Sequence, residues 1–169
     1  MCFFVIIGLV VIFMYSNELV CDILNYVDNN INKKITIDDI AFKFNYNRYH
    51  IMKLFKREIG CGIVIYINNI RIYNSIRDIR ENDYSFTRIA LRNGFYSLEY
   101  FSEIFHKVIG VSPRVYKNFC RNRYKVSYDE LEILMDNWVN LEDFVNKINK
   151  YKKNKKPTKI PVLKRSIFY

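Results

Sequence analysis

The 169-residue sequence is poor in the residues that build metal sites, disulfide frameworks and tight turns. It has only 2 histidines, 5 glycines and 3 prolines. Its 4 cysteines are far apart and form no Cys-x-x-Cys pair, which argues against a zinc site or disulfide framework and is typical of a reducing cytoplasm. So few turn-forming residues also argue against a sandwich or barrel of many short strands, and they favour a helical protein.

Catalytic motifs are missing as well. The sequence has no His-Glu-x-x-His, no Gly-x-x-x-x-Gly-Lys-Ser/Thr and no Gly-x-Ser-x-Gly, so we expect no enzymatic activity, metal or cofactor. Charge is what the chain has in excess, because 27 lysines and arginines oppose 17 acids and give a net charge of +10. That charge predicts a polyanionic partner, either nucleic acid or an anionic membrane surface.

Residues 1–15 form a continuous apolar run, MCFFVIIGLVVIFMY. No basic segment precedes the run and no small-residue cleavage site follows it, so it is a poor secretory signal. As a helix it would span roughly 22 Å, less than the ~30 Å core of a bilayer. Three interpretations stay open: a buried element or remnant of a lost upstream domain, a membrane-associating anchor, and a misplaced start codon.

From residue 16 onward the apolar residues recur at helical spacing, and a pattern then occurs twice. Each copy has a short helix, a turn and a second helix that a glycine ends, Gly60 in the first copy and Gly110 in the second. The two glycines are 50 residues apart, whereas Ile40 and Ile89 are 49 apart, so the second turn has one extra residue. The sequence predicts two helix-turn-helix units.

The predicted fold is all-α, with about seven helices in two helix-turn-helix subdomains plus an extra C-terminal helix and a basic tail. The units span about 36–60 and 85–110, and a long linker helix over about 63–80 joins them. The expected helix caps and turn residues are Thr36, Asn45, Asn47, Ser85, Asn93-Gly94, Ser97 and Ser112-Pro113.

Three segments make up the predicted domain organisation. Residues 1–15 have no assigned role, residues 16–120 hold both helix-turn-helix units, and residues 121–169 form an amphipathic helix and a tail. The helix is expected over 127–150, with an apolar stripe of Leu131, Leu134, Trp138, Leu141 and Val145. The tail carries lysines, arginines and two prolines without an acid, so we expect it to be extended.

The second helix of a helix-turn-helix unit enters the DNA major groove, so it needs one core face and one outward face. In the first unit the outward residues are Tyr49, Met52, Lys53 and Lys56, with Arg48 at the N-terminal end. In the second unit they are Leu98, Glu99, Ser102, Glu103 and His106, which follow the cap Ser97. By charge the first unit is the stronger DNA contact. Further candidate phosphate contacts are Lys43, Arg71, Arg77, Arg88 and Arg92.

The second unit, IALRNGFYSLEYFSEIFHKVIGVSPRVYK, has a Gly-Phe turn, paired aromatics and a Ser-Pro pair at fixed spacing. It resembles the signature I-A-x-x-x-G-F-x-S-x-x-Y-F-x-x-x-F-K-x-x-x-G-x-S-P-x-x-Y of the AraC/XylS transcriptional regulators, departing at His106, where lysine is usual. The resemblance covers about residues 17–120. The triplet at 48–50 is similar to that of the small stand-alone MarA/SoxS/Rob-type activators.

The resemblance implies a two-lobed cytoplasmic activator that binds two successive major-groove segments of double-stranded DNA and recruits RNA polymerase, as a monomer or weak dimer. By position, the family's base-reading residues correspond to Tyr49, Met52 and Lys53, and to Leu98, Glu99, Ser102 and Glu103. Glu103 stands where the family often has arginine. Only 15 residues precede the first helix, which leaves no room for a sensing domain, so we expect no small-molecule ligand.

Two alternatives remain beside this interpretation. The N-terminal apolar run and the basic tail would also suit a membrane-attached regulator. The acidic outer face of the second unit would suit a degenerate paralogue, in which that unit no longer reads DNA and the helix over 127–150 pairs with another protein.

Overall fold

The structure is a computed structural model that describes residues 18–121 and 128–154, with the side chains of the second segment described from residue 132. Within these ranges the chain is helical and has no strand, so the predicted all-α class is confirmed. The helices are α1 (18–30), α2 (Ile37–Phe44), α3 (Arg48–Ile59), α4 (Ile63–Glu81), α5 (Phe86–Arg92), α6 (Leu98–Ile109), α7 (Pro113–Cys120) and α8 (Tyr128–Asn154). The predictions for residues 1–15, for the Leu131 side chain and for the tail beyond 154 fall outside the described residues.

Polar caps set the helix boundaries at the positions that the sequence predicts. Thr36 and Asp39 form a reciprocal capping box at the start of α2, and Asn45 ends that helix in the left-handed conformation with φ 56°. Gly60 and Gly110 end α3 and α6 with φ 90° and 87°, a conformation that costs glycine little. The local sequence therefore determines where each helix of the repeat begins and ends.

The buried side chains form two hydrophobic cores that share α4. The first lobe consists of α1, α2, α3 and the first half of α4, and it buries Phe55 and Tyr66. The second lobe consists of the second half of α4 with α5, α6 and α7, and it buries Phe101 and Phe105. One continuous helix thus contributes to both cores, and α4 connects the two lobes.

Arg71 lies at the point where the two lobes meet, and the prediction that it contacts phosphate is wrong. Its side chain is buried on α4, and its guanidinium donates from Nε to the carbonyl of Ile31 at 3.0 Å and from Nη2 to that of Lys33 at 2.7 Å. The same group lies 5.8 Å from the ring centre of Phe95 in the second lobe. Arg71 therefore caps carbonyl groups of the first lobe while it packs against the second.

The last helix, α8, packs on both lobes. This packing differs from the alternative in which the helix pairs with another protein, and the end of the helix differs from the one predicted. Leu134 and Leu141 of its apolar stripe are buried in the second core, and Ile148 is buried in the first, so the stripe pairs with this chain rather than with another protein. The helix also continues past residue 150 to Asn154, and Lys152 in its last turn forms an ion pair with Asp28. Among the described helices none is long and apolar enough to span a bilayer.

Candidate nucleic-acid interface

The outward face of α3 is supported from below by four buried apolar residues. Ile51, Leu54, Phe55 and Ile59 are buried in the first core, which fixes the rotation of the helix about its axis. The opposite side therefore points to solvent by geometry, since residues three and four apart share one helix face.

The predicted contact residues of the first unit lie on that solvent side. Tyr49 is 68% exposed, Lys53 and Lys56 are exposed, and Met52 is half-buried. One phenol and two ammonium groups therefore share one accessible surface. Phenol hydroxyls and ammonium groups both bind DNA phosphates and base edges.

Arg48 is also exposed but it has a protein partner. Its guanidinium Nη1 lies 3.2 Å from both carboxylate oxygens of Asp38, across the turn from α2. The side chains of this pair are 55% and 70% exposed, so the ion pair contributes little stability and can be exchanged for a phosphate at small cost. Arg48 is the first residue of α3, so its charge lies at the N-terminus of that helix.

The turn of the second unit is held by Asn93 and Gly94. Asn93 is buried, and its side-chain amide donates to the carboxylate of Asp78 on α4 and to the carbonyl of Ile89, both at 2.9 Å. Gly94 has φ 80° and approaches Ile31 so closely that a Cβ would lie 2.4 Å from that carbonyl oxygen. The turn of the second unit therefore contacts both α4 and the first lobe.

The outward face of α6 has the predicted residues and a different charge. Glu99 and Glu103 are exposed, whereas Leu98 and Ser102 are half-buried. Ser97 acts as the N-cap, since its hydroxyl accepts from the backbone N–H of Tyr100 at 3.1 Å. The outward face of α3 is thus basic and that of α6 is acidic, whereas the predicted contact residue Leu98 packs against the second core.

The predicted flanking arginines of α5 are organised by one aromatic ring. The guanidinium groups of Arg88 and Arg92 lie 4.2 and 5.0 Å from the ring centre of Tyr84, and Arg92 also lies 3.7 Å from a carboxylate oxygen of Asp78. The ring contact orders both side chains before any ligand binds. Arg88 and Arg92 therefore remain candidate phosphate contacts, unlike Arg71.

Sequence reasoning missed a tyrosine that precedes each recognition helix, α3 or α6. Tyr46 stacks on His50 with ring centres 5.3 Å apart, and Tyr96 stacks on Tyr100 at 4.8 Å. Both tyrosines are exposed, Tyr96 by 74%, and each phenol is positioned beside a helix N-terminus. The signal was present in the repeat, since Tyr46 and Tyr96 are 50 residues apart and each immediately precedes its N-cap.

Comparisons with known proteins agree with this geometry. The helix-turn-helix domain family matches residues 40–118. The chain is 32% identical over 104 residues to the probable transcription factor PqrA of Proteus vulgaris, covering 60% of this chain and 85% of PqrA. It is 25% identical over 103 residues to the HTH-type transcriptional activator AarP of Providencia stuartii, covering 61% of this chain and 76% of AarP.

A solved structure shares the fold. The DNA-binding domain of AdpA, a global transcriptional factor solved in complex with a target DNA, matches with a TM-score of 0.58 and 20% identity, covering 62% of this chain and 94% of that domain. The match to PqrA extends to most of that relative's length. The chain therefore belongs to the AraC/XylS family of helix-turn-helix transcriptional regulators.

Proposed function

We propose that this DNA-binding transcription regulator places α3 and α6 in two successive major-groove segments of one duplex and activates transcription by recruiting RNA polymerase. The observation that carries the proposal is the outward face of α3, where Tyr49, Lys53 and Lys56 are exposed on a helix whose other side is fully packed. The name of AarP as a transcriptional activator supports the direction of regulation.

In this proposal the first unit supplies most of the base reading. Lys53 belongs to the N-terminal half of α3 (Arg48–Ile59), the half of a recognition helix that contacts base edges, and a lysine there can read guanine O6 and N7. Arg48 and Lys56 lie nearer the two ends of the helix and neutralise phosphates. Tyr46 adds a hydroxyl beside the N-terminus of α3 that can donate to the backbone.

The second unit reads DNA by a different chemistry. Glu103 occupies the position equivalent to Lys53, 50 residues later, and a carboxylate can accept a hydrogen bond from cytosine N4. Ser102 is beside it and half-buried, and its hydroxyl can donate or accept. Phosphate attraction near α6 would then come from Arg88, Arg92 and Lys107, which flank the acidic face.

Selection of bound sequences from a random duplex pool, repeated at two salt concentrations, tests the proposal. Two conserved segments about one helical turn apart are expected, because the two recognition helices are held on one scaffold. A single segment would show that α6 does not read bases. Binding without any sequence preference, which vanishes at the higher salt, would contradict the proposal as a whole.

Lysine and glutamate variants then assign the roles of the two faces. Lys53→Ala should weaken the selected site by about 1–3 kcal/mol and relax one base position, whereas the exposed Lys150 on α8 provides the matched control, with little effect expected on alanine substitution. If Lys53→Ala lowers the affinity for all duplexes equally, Lys53 contacts only phosphate.

The change in DNA affinity caused by Glu103→Ala has opposite signs for the two possible roles of Glu103. If Glu103 accepts from a cytosine, its loss weakens the selected site. If it only repels phosphate, its loss strengthens binding to every duplex, as in the degenerate alternative. Glu142→Ala, an exposed acid on α8, controls for the change in net charge.

A further inference from the structure

Helix α8 lies beyond the family-matched residues 40–118, yet it is part of both hydrophobic cores. At its N-terminal end Leu134 and Leu141 are buried in the second lobe. Between them, Trp138 stacks on Tyr73 of α4, with ring centres 5.9 Å apart and an interplanar angle of 6°. This half of α8 is therefore fixed to the second lobe.

The other half of α8 is fixed to the first lobe by apolar and polar contacts. Ile148 is buried in the first core, and the Phe144 ring lies 6.3 Å from that of the buried Tyr66. The Tyr66 hydroxyl donates to Asp28 of α1 at 2.8 Å, and the Lys152 ammonium pairs with the same carboxylate. One helix thus connects α1 and α4 of the first lobe to the second lobe.

The same helix also covers the end of the second recognition helix. A Cβ on Gly110, the residue that ends α6, would lie 2.6 Å from Ile133 Cγ2 and 2.7 Å from Asn137 Nδ2, both on α8. A Cβ on Gly60, the equivalent residue that ends α3, would have nothing within 4 Å. At Gly110 the end of α6 therefore packs directly against α8, whereas Gly60 makes no such contact and α3 meets α8 through Glu58, which hydrogen-bonds Tyr151.

We propose that α8 is a brace that fixes α6 relative to the first lobe and thereby sets the spacing between the two DNA segments that this chain accepts. The proposal rests on the two-segment binding mode proposed above. One base pair inserted between the segments moves the second segment by about 3.4 Å and rotates it by about 34°. A braced pair of lobes cannot follow that movement, so either the second contact is lost or the DNA must deform.

The experiment measures affinity of the full chain for a duplex set in which the selected segments are separated by the preferred spacing or by one base pair more or fewer. The test variant is Ile148→Asp, which puts a charge at the buried contact between α8 and the first lobe. The matched control is Asn146→Asp, which adds the same charge to the same helix at an exposed position. Trp138 is the only tryptophan of the chain, so its fluorescence reports the packing of α8 in each variant.

For the wild type and the Asn146→Asp control we expect at least about a tenfold loss of affinity on changing the spacing. For Ile148→Asp we expect weaker binding at the preferred spacing but a loss of less than about threefold on changing it, because loosely joined lobes adjust to both duplexes. A wild type that tolerates all spacings equally would overturn the brace. So would Ile148→Asp with a red-shifted tryptophan emission and an unchanged spacing preference.

Glycine variants test the same brace where Ile148→Asp does not fold. Gly110→Ala and Gly60→Ala impose the same left-handed strain on an alanine, but only the first places a Cβ against side chains of α8, those of Ile133 and Asn137. We expect Gly110→Ala alone to broaden the spacing preference, and equal profiles for the two variants would overturn the proposal. Protection footprints distinguish failure of the proposed function from failure of the brace. One protected DNA segment in the wild type would count against the two-segment function. Two protected segments with an affinity that does not depend on their spacing would count against the brace alone.

Discussion

Replacing Arg71 by methionine tests whether this arginine joins the lobes or binds DNA. The substitution keeps most of the aliphatic length that packs near Phe95 and removes the two charged hydrogen bonds, to the carbonyls of Ile31 and Lys33. A hydrogen bond from a charged donor contributes roughly 1.5–3 kcal/mol, and the bond to Ile31 is buried, so water cannot replace it fully. The bond to Lys33 is only partly buried, and water recovers part of it. We therefore expect the free energy of unfolding to fall by about 2–4 kcal/mol, a large share of the 5–15 kcal/mol typical of a domain.

Urea unfolding followed by circular dichroism measures this loss, and Arg77→Met provides the control. Arg77 is an exposed residue on the same helix, so its replacement should change the free energy of unfolding by less than about 0.5 kcal/mol. DNA affinity is measured in parallel, at a temperature where both variants are folded. The reasoning is refuted if Arg71→Met is as stable as Arg77→Met and instead reduces the salt dependence of DNA binding, as the loss of a phosphate contact would.

Two further predictions concern single residues of the scaffold. Gly94→Ala should lower the free energy of unfolding by about 1–3 kcal/mol more than Gly60→Ala. Both glycines have positive φ, but only a Cβ on Gly94 would meet a carbonyl oxygen. Equal losses of stability in thermal unfolding would contradict this. The hydrogen bonds from Thr36 lower the pKa of the Asp39 carboxyl, so its contribution to stability is present above the unfolded value of 3.8 and is lost as the pH falls through the folded value. Asp39→Asn should therefore be less stable than the wild type near neutral pH and converge with it in acid, and a constant difference in urea unfolding across that range would argue against the capping box.

The helix boundaries and the two-lobed repeat could be predicted from the sequence because they depend on local chemistry. A capping hydroxyl such as Thr36 acts within one helical turn, and Gly60 and Gly110 end their helices whatever lies nearby. The internal offset then identified the two units without any knowledge of their contacts. The family resemblance rested on the same residues, which is why it was confirmed together with the fold.

The role of Arg71 could not be predicted, because it depends on where the chain passes in three dimensions. Arg77 has the charged residues Arg80 and Glu81 one helical turn away, whereas Arg71 has no charged neighbour there, but this difference does not reveal what Arg71 contacts. Its role arises because the loop after α1 brings two carbonyl groups to Arg71, from residues about 40 positions away. A similar limit applies to α8, whose apolar stripe was visible while its partner was not.

The inner and outer faces of the two recognition helices differ in how strongly packing constrains them. At the offset of 50, Ile51 and Leu54 correspond to Phe101 and Ile104, and all four are buried apolar residues. The outward positions have no such constraint, and there Lys53 corresponds to Glu103. Because packing decides only the inner face, one scaffold can carry two unlike reading surfaces. In the proposed two-segment binding mode, the two DNA segments should therefore differ in sequence. The chain should then bind its site in one orientation only, because the reverse orientation would place the Glu103 carboxylate against the hydrogen-bond acceptors that Lys53 reads.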